Sequence, residues 1–152
     1  MSAHRSVSGP QPSPAAAAST EMRCDARIVL GEDQSLDIPV RFGYRADDPF
    51  AVALEFLGPA AEAGTWLFAR DLLWEGLQKP VGLGDVRIWP PCPCHGRPHL
   101  RIMLQGGDGS ILLDLPVRKV RRWLRQECFA LVAPGSEGDA IDWNAELRGL
   151  TP

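Results

Sequence analysis

Leu36, Ile38, Val40, Phe42 and Tyr44 alternate with Asp37, Pro39 and Arg41, and Arg45 follows Tyr44. No other stretch of the chain constrains its fold as tightly. A helix would scatter these five apolar side chains around its circumference, whereas a strand places them all on one face. One covered and one polar face is the mark of an antiparallel sheet rather than a parallel one.

The same period of two predicts neighbouring strands. In residues 23–30, Cys24, Ala26, Ile28 and Leu30 share a face and Arg23, Asp25 and Arg27 lie opposite; residues 31–35 form a turn. Asp47-Asp48-Pro49 breaks the second strand, and strands follow at 50–57 and 64–69. At Arg70 the spacing changes. Leu72, Leu73 and Leu77, with Gly76 and Pro80 near the end, predict a short helix. Strands resume at 85–89, 99–105 and 110–115, the last two flanking the hairpin signal Gly106-Gly107-Asp108-Gly109. Pro116 suits the first turn of a second helix, in which Val117, Val120, Leu124 and Cys128 line one side and Leu131 continues the stripe. A short closing helix is expected after Asp139 or Asp142, docked by Trp143 and Leu147. Because strands and helices do not alternate singly, the predicted class is α+β: antiparallel sheets with two main helices and a short C-terminal one, in the order strands, helix, strands, helix. The two halves form a loose repeat without sequence identity.

Residues 1–21 are rich in Ser, Pro and Ala and are expected to be a disordered tail, because such a segment buries too little surface to offset its ordering entropy. Residues 22–152 are expected to form one domain. Nothing in the N-terminal segment resembles a secretory leader, and no stretch approaches the roughly 20 apolar residues needed to span a bilayer. A cytoplasmic protein with reduced thiols is expected, and Cys24 and Cys128, set within apolar patterns, read as small hydrophobes.

Catalytic and cofactor motifs are not found. The three histidines are His4, in the tail, and His95 and His99. No G-x-S-x-G is present, and Gly82-Leu-Gly84-Asp85 lacks the Lys and Ser/Thr of a phosphate loop. Cys92, Cys94, His95 and His99 offer two thiolates and two imidazoles to a zinc ion. Their spacing, however, is C-x-C within a single loop rather than two separated knuckles. A proline-stiffened surface loop is therefore the reading preferred over a metal site, and no enzymatic activity or cofactor is expected.

The second helix carries the strongest surface signal. Arg118, Arg121, Arg122 and Arg125 stand at i, i+3, i+4 and i+7 and so share one face, with Lys119 beside them. These are five of the 16 basic residues in a chain of net charge −3. Such a face suits an acidic protein, a nucleic-acid backbone or an anionic membrane surface, or else is a solvated face whose arginine stems shield apolar surface. Trp66 and Trp89 in strands invite comparison with base-stacking platforms, against which stand the acidic balance and the single tyrosine.

Several ordered strings carry a family resemblance. They are Asp48-Pro-Phe-Ala-Val52, Trp66-Leu-Phe-Ala-Arg-Asp-Leu-Leu73 with Glu75-Gly-Leu77, Gly84-Asp-Val-Arg-Ile-Trp-Pro90, Ile111-Leu-Leu113 with Pro116, Trp123-Leu124, Ala133-Pro-Gly-Ser-Glu137, and Asp142-Trp-Asn-Ala-Glu-Leu147. With these the chain resembles the SsgA/SsgB-like sporulation and cell-division proteins of actinobacteria, over roughly residues 22–150. The resemblance implies a whirly-like fold, a homo-oligomer (a trimer), and a non-enzymatic role in positioning or assembling the septum through contacts with cell-division or septum-assembly proteins, FtsZ-linked machinery among them. It also implies a cytoplasmic protein recruited to the septum. The Cys92–His99 loop and the long tail depart from the family pattern, and Phe50 stands where the family more often has tyrosine. Single-stranded nucleic-acid binding, known of whirly-type folds, is the alternative. On the matched residues, Asp48-Pro49 is expected to make a turn, Asp71 to favour the positive end of the first helix, and Trp66, Phe68 and Trp89 to fill space between sheet and helix.

Overall fold

The computed structural model describes residues 18–92, 96–107 and 109–140. Eight strands form a single antiparallel sheet. They are β1 (Ser19–Val29), β2 (Ser35–Arg45), β3 (Ala51–Phe56), β4 (Thr65–Ala69), β5 (Val81–Leu83), β6 (Val86–Trp89), β7 (Leu100–Gly106) and β8 (Gly109–Leu115). Their order across the sheet is β4-β3-β2-β1-β8-β7-β6-β5. Each half is a four-stranded meander, and the halves meet where Arg27 and Ile28 of β1 pair with Asp114 and Leu113 of β8. The expected antiparallel sheets are joined into one continuous sheet, and the α+β class and the order strands, helix, strands, helix hold.

Two helical segments cover one face. Helix α1 (Arg70–Gly76) follows β4. Helix α2 (Val117–Trp123) follows β8 and continues without a break through a π-helical turn (Leu124–Cys128) into α3 (Phe129–Leu131). The sheet's alternation supplies the core beneath them: Ile38, Val40, Phe42 and Tyr44 of β2, Val52, Leu54 and Phe56 of β3, and Leu100, Ile102 and Leu104 of β7 are all buried.

The helices cross over to the opposite halves. Gly76, at the end of α1, lies against Ile88 of β6: an added Cβ would come within 2.3 Å of its Cγ2. Trp123, from the second half, sets its ring 5.8 Å from that of Phe42 and donates its Nε1–H to Thr20 Oγ1 of β1 over 3.1 Å. The two helical segments touch through an edge-to-face pair, Trp74 and Phe129, at 5.1 Å. The sheet also curls around this core. Trp66 of edge strand β4 reaches Gly106 at the end of β7, five strands away, where a Cβ would stand 3.3 Å from Cη2 of its ring.

Where expectation and structure part, local physics explains the difference. β1 begins at Ser19, inside the segment read as tail, because Ser19 and Thr20 pair with Arg45 and Tyr44, and Ala46 N–H bonds to Ala18 O. β5 was not expected: three residues including Gly82 are too few to show a period of two. Residues 58–63 form a 3-10 helix, Gly58–Ala63, between β3 and β4. Pro116 sits one position before the first turn of α2, as its N-cap. The closing helix expected with Trp143 and Leu147 lies outside the described residues, apart from a 3-10 turn at Glu137–Ala140.

A candidate interaction face and the buried knot behind it

The inner side of the 117–131 helix is anchored by Val120, Trp123, Leu124 and Cys128, all at most 1% exposed, and the stripe continues at Val132. Val120, Leu124, Cys128 and Val132 are spaced by four. An α-helix turns once per about 3.6 residues, so a stripe of spacing four drifts around it. The wider π-helical turn takes up that drift and keeps the stripe on the core. This is why Val132 rather than Leu131 is the stripe's last buried member, Leu131 being half-buried.

The arginines therefore face away from the buried stripe that anchors the helix. Arg118, Arg122 and Arg125 are exposed and Arg121 is half-buried. Together with Gln126 they line one shallow groove, as the spacing predicts. None of the four forms an ion pair with another described residue. Glu127, the nearest carboxylate in sequence, instead accepts a hydrogen bond from the Thr20 hydroxyl.

The other candidates separate. Cys92 and Arg97 close a small bridge, with Cys92 N–H to Arg97 O at 2.7 Å and Arg97 N–H to Cys92 O at 2.9 Å. His99 is half-buried, in a groove with Asp25, Arg27, Asp37 and Asp114. Cys94 and His95 lie outside the described residues. Among the described residues no three His, Cys, Asp or Glu side chains are grouped to hold a metal ion. Trp66 packs inward and donates Nε1–H to Ala63 O over 3.1 Å. Trp89 does not fill space between sheet and helix as expected: Val86 and Ile88 take the inner face, so Trp89 falls on the outer one beside Arg101. The two indoles, on opposite faces, make no common stacking platform. Cys24 and Cys128 are buried, and burial pushes their thiols up to about 11 and about 12.

Sequence reasoning missed a buried polar knot. Arg70, 1% exposed, donates Nη1–H to Tyr44 Oη (2.9 Å) and to Val132 O (2.6 Å), and Nη2–H to Glu137 Oε2 (2.8 Å). Its guanidinium lies 4.7 Å from the Phe129 ring centre. Tyr44 Oη–H in turn donates to Pro49 O, and the Arg70 backbone N–H donates to Phe50 O. Glu137 Oε1 accepts Gly135 N–H. Three of the matched strings, around Pro49, Arg70 and Glu137, thus meet in one hydrogen-bonded cluster. The signal was there in an arginine placed where strand gives way to helix and in the Pro-Gly-Ser-Glu run, but it could not be read without knowing that they meet. Asp48 does make the expected turn, with Asp48 N–H to Arg45 O and Ala51 N–H to Asp48 O, and Asp71 lies in the first turn of α1. No helix among the described residues is long and apolar enough to cross a membrane.

Comparison with known proteins places these features in a context. Residues 38–137 match the family described as Streptomyces sporulation and cell division protein, SsgA. The chain is 39% identical over 133 residues to the sporulation-specific cell division protein SsgB of Streptomyces coelicolor, covering 86% of this chain and 96% of that one. It is 37% identical over 134 residues to SsgB of Kineococcus radiotolerans, covering 86% and 80%. Among solved structures, SsgB of S. coelicolor superposes with a TM-score of 0.74 at 37% identity, over 82% of this chain and 97% of that one. The SsgA-like sporulation-specific cell division protein of Thermobifida fusca superposes with a TM-score of 0.75 at 29% identity, over 90% and 98%.

Proposed function

Because this chain belongs to the SsgA family of sporulation and cell division proteins, we propose that it acts in sporulation-specific cell division as a non-enzymatic adaptor. It helps position or assemble the septum through protein–protein contacts with FtsZ-linked machinery, works as a homo-oligomer (a trimer), and moves from the cytoplasm to the septum. The observation that supports this reading is similarity along nearly the whole length of SsgB, 96% of it, together with the shared fold. The family is named for cell division and not for a reaction. The arginine face of the 117–131 helix, opposite its buried stripe and without ion pairs to described residues, is the contact surface this reading assigns.

The test is a fluorescent fusion of the full chain in a sporulating actinobacterial host, with deletion of the gene beside it. Signal gathering at septa and defective septation in the deletion strain are expected. Diffuse signal throughout septation with normal spores would overturn the proposal.

A further inference from the structure

Resting on that reading, we infer that the Arg118–Arg121–Arg122–Arg125 face docks a short acidic protein segment, recognised by its carboxylates. Removing these four arginines and Lys119 from the charge count leaves 11 basic and 19 acidic residues, so the rest of the chain carries −8. The four arginines, which share one groove, form an island about 10 Å long on the helix axis, the rise over seven residues. A short segment with a few carboxylates fits within that island. A long polyanion such as a nucleic acid would extend beyond it along a chain whose remaining residues carry net negative charge.

The side-chain chemistry points the same way. Guanidinium forks grip planar carboxylates with two parallel hydrogen bonds. Gln126, in the same groove, offers an amide for the backbone of a docked peptide. A membrane surface fits less well, because stable anchoring takes an apolar or lipid signal in addition to basic residues. The large exposed apolar side chains of the described residues, Leu30, Leu36, Phe50, Leu67 and Leu83, belong to the strands and their connections and not to this helix.

The experiment uses the purified full chain and a fluorescent peptide in which Glu and Asp alternate with Ala, titrated at low salt. Beside it run a single-stranded oligothymidylate of equal length and vesicles of about one-third phosphatidylglycerol in phosphatidylcholine. Peptide binding is expected to fall by about tenfold or more in R118E/R122E and to change by less than about twofold in R87E, a control on an exposed arginine of β6. Replacing the peptide's acids with lysine should restore binding to R118E/R122E and not to the parent chain. Matching circular dichroism melts confirm that the variants fold. Three outcomes would overturn the inference: no peptide binding at low salt, equal losses in both variants, or tighter arginine-dependent binding to oligothymidylate or vesicles than to peptide. If peptide binding is absent while septal localisation and the deletion defect stand, the docking inference alone fails. If the peptide binds and localisation is diffuse, the adaptor reading fails instead.

Discussion

Arg70 and Glu137, 67 residues apart in sequence, meet through a 2.8 Å bond between Nη2 and Oε2 at a place where both are buried. Arg70 opens α1, Glu137 lies beyond the end of α3, and Tyr44 and Val132 complete the guanidinium's contacts. One side chain therefore ties the first meander, both helical segments and the C-terminal 3-10 turn together. Removing the carboxylate leaves a charge in the core facing only a hydroxyl, a carbonyl and aromatic rings. The E137A variant is expected to lose about 3 kcal/mol of stability, in the range found when a buried pair is broken from one side. R70M/E137A should be more stable than E137A alone, since it removes the stranded charge. Urea unfolding of the three chains measures this, and equal stability of E137A and the parent would refute it.

Acid should reach the same knot. Glu137's carboxyl is held below its ordinary 4.5, first by the bond from its own backbone N–H and then by Arg70, with burial opposing. A carboxyl whose folded-state value is depressed adds stability that is complete above its unfolded value and is lost as pH falls through the folded one. The melting temperature is therefore expected to hold from neutral pH to about 4.5 and fall below it, with a shallower fall in E137Q, whose amide does not titrate. Parallel curves for the two chains would remove Glu137 from the acid transition.

What could be read from the sequence divides along the same line between local and distant. Ile38 to Tyr44 is a long run with a single period, so its strand and its buried face were legible. The arginine quartet was legible for the same reason, because residues three and four apart on a helix are neighbours whatever lies elsewhere. Arg70 was not, since a lone arginine between strand and helix reads as solvated charge until Tyr44 and Glu137 are brought to it by the crossing of the helices. The π-helical turn left no local mark, and it moved the end of the buried stripe to Val132. Trp89 was misplaced by its size: alternation with Val86 and Ile88 already put it on the outer face. Of the four residues weighed as metal ligands against the preferred surface loop, Cys92 and His99 fall in the described structure, while Cys94 and His95 do not.

Two glycines should respond to alanine with opposite signs. A Cβ on Gly76 would lie 2.3 Å from Ile88 Cγ2 and 2.7 Å from its Cβ, so α1 would have to lift off β6. Overpacking of this kind costs about 1–3 kcal/mol, more than the helix-propensity gain of about 1 kcal/mol that alanine brings. Gly43, on the outer face of β2, has no atom within 4 Å of a built Cβ. There alanine is expected to add about 0.5 kcal/mol by restricting the unfolded chain. Thermal melts of G76A and G43A give the two signs directly; a stable G76A would mean that α1 does not bear on Ile88 as described.

Thiol reactivity tests the core from another side. A thiol must ionise to react, and burial raises Cys24 to about 11 and Cys128 to about 12 from an ordinary 9.0. Tyr44 is likewise pushed up to about 12 by burial. In a C94S background, Cys92, which is only half-buried, should react with Ellman's reagent first, while Cys24 and Cys128 wait for unfolding. Groups whose folded-state values are raised add stability that is full below their unfolded values and declines as pH rises toward the folded ones. Stability should accordingly hold to about pH 9 and decline from there toward about 12, with C128S, whose hydroxyl does not titrate in that window, showing a shallower decline once its own loss at neutral pH is subtracted. Rapid reaction of all three thiols in the folded chain at neutral pH would mean that the helix bearing Cys128 opens readily and that its inner stripe does not anchor the arginine face as described.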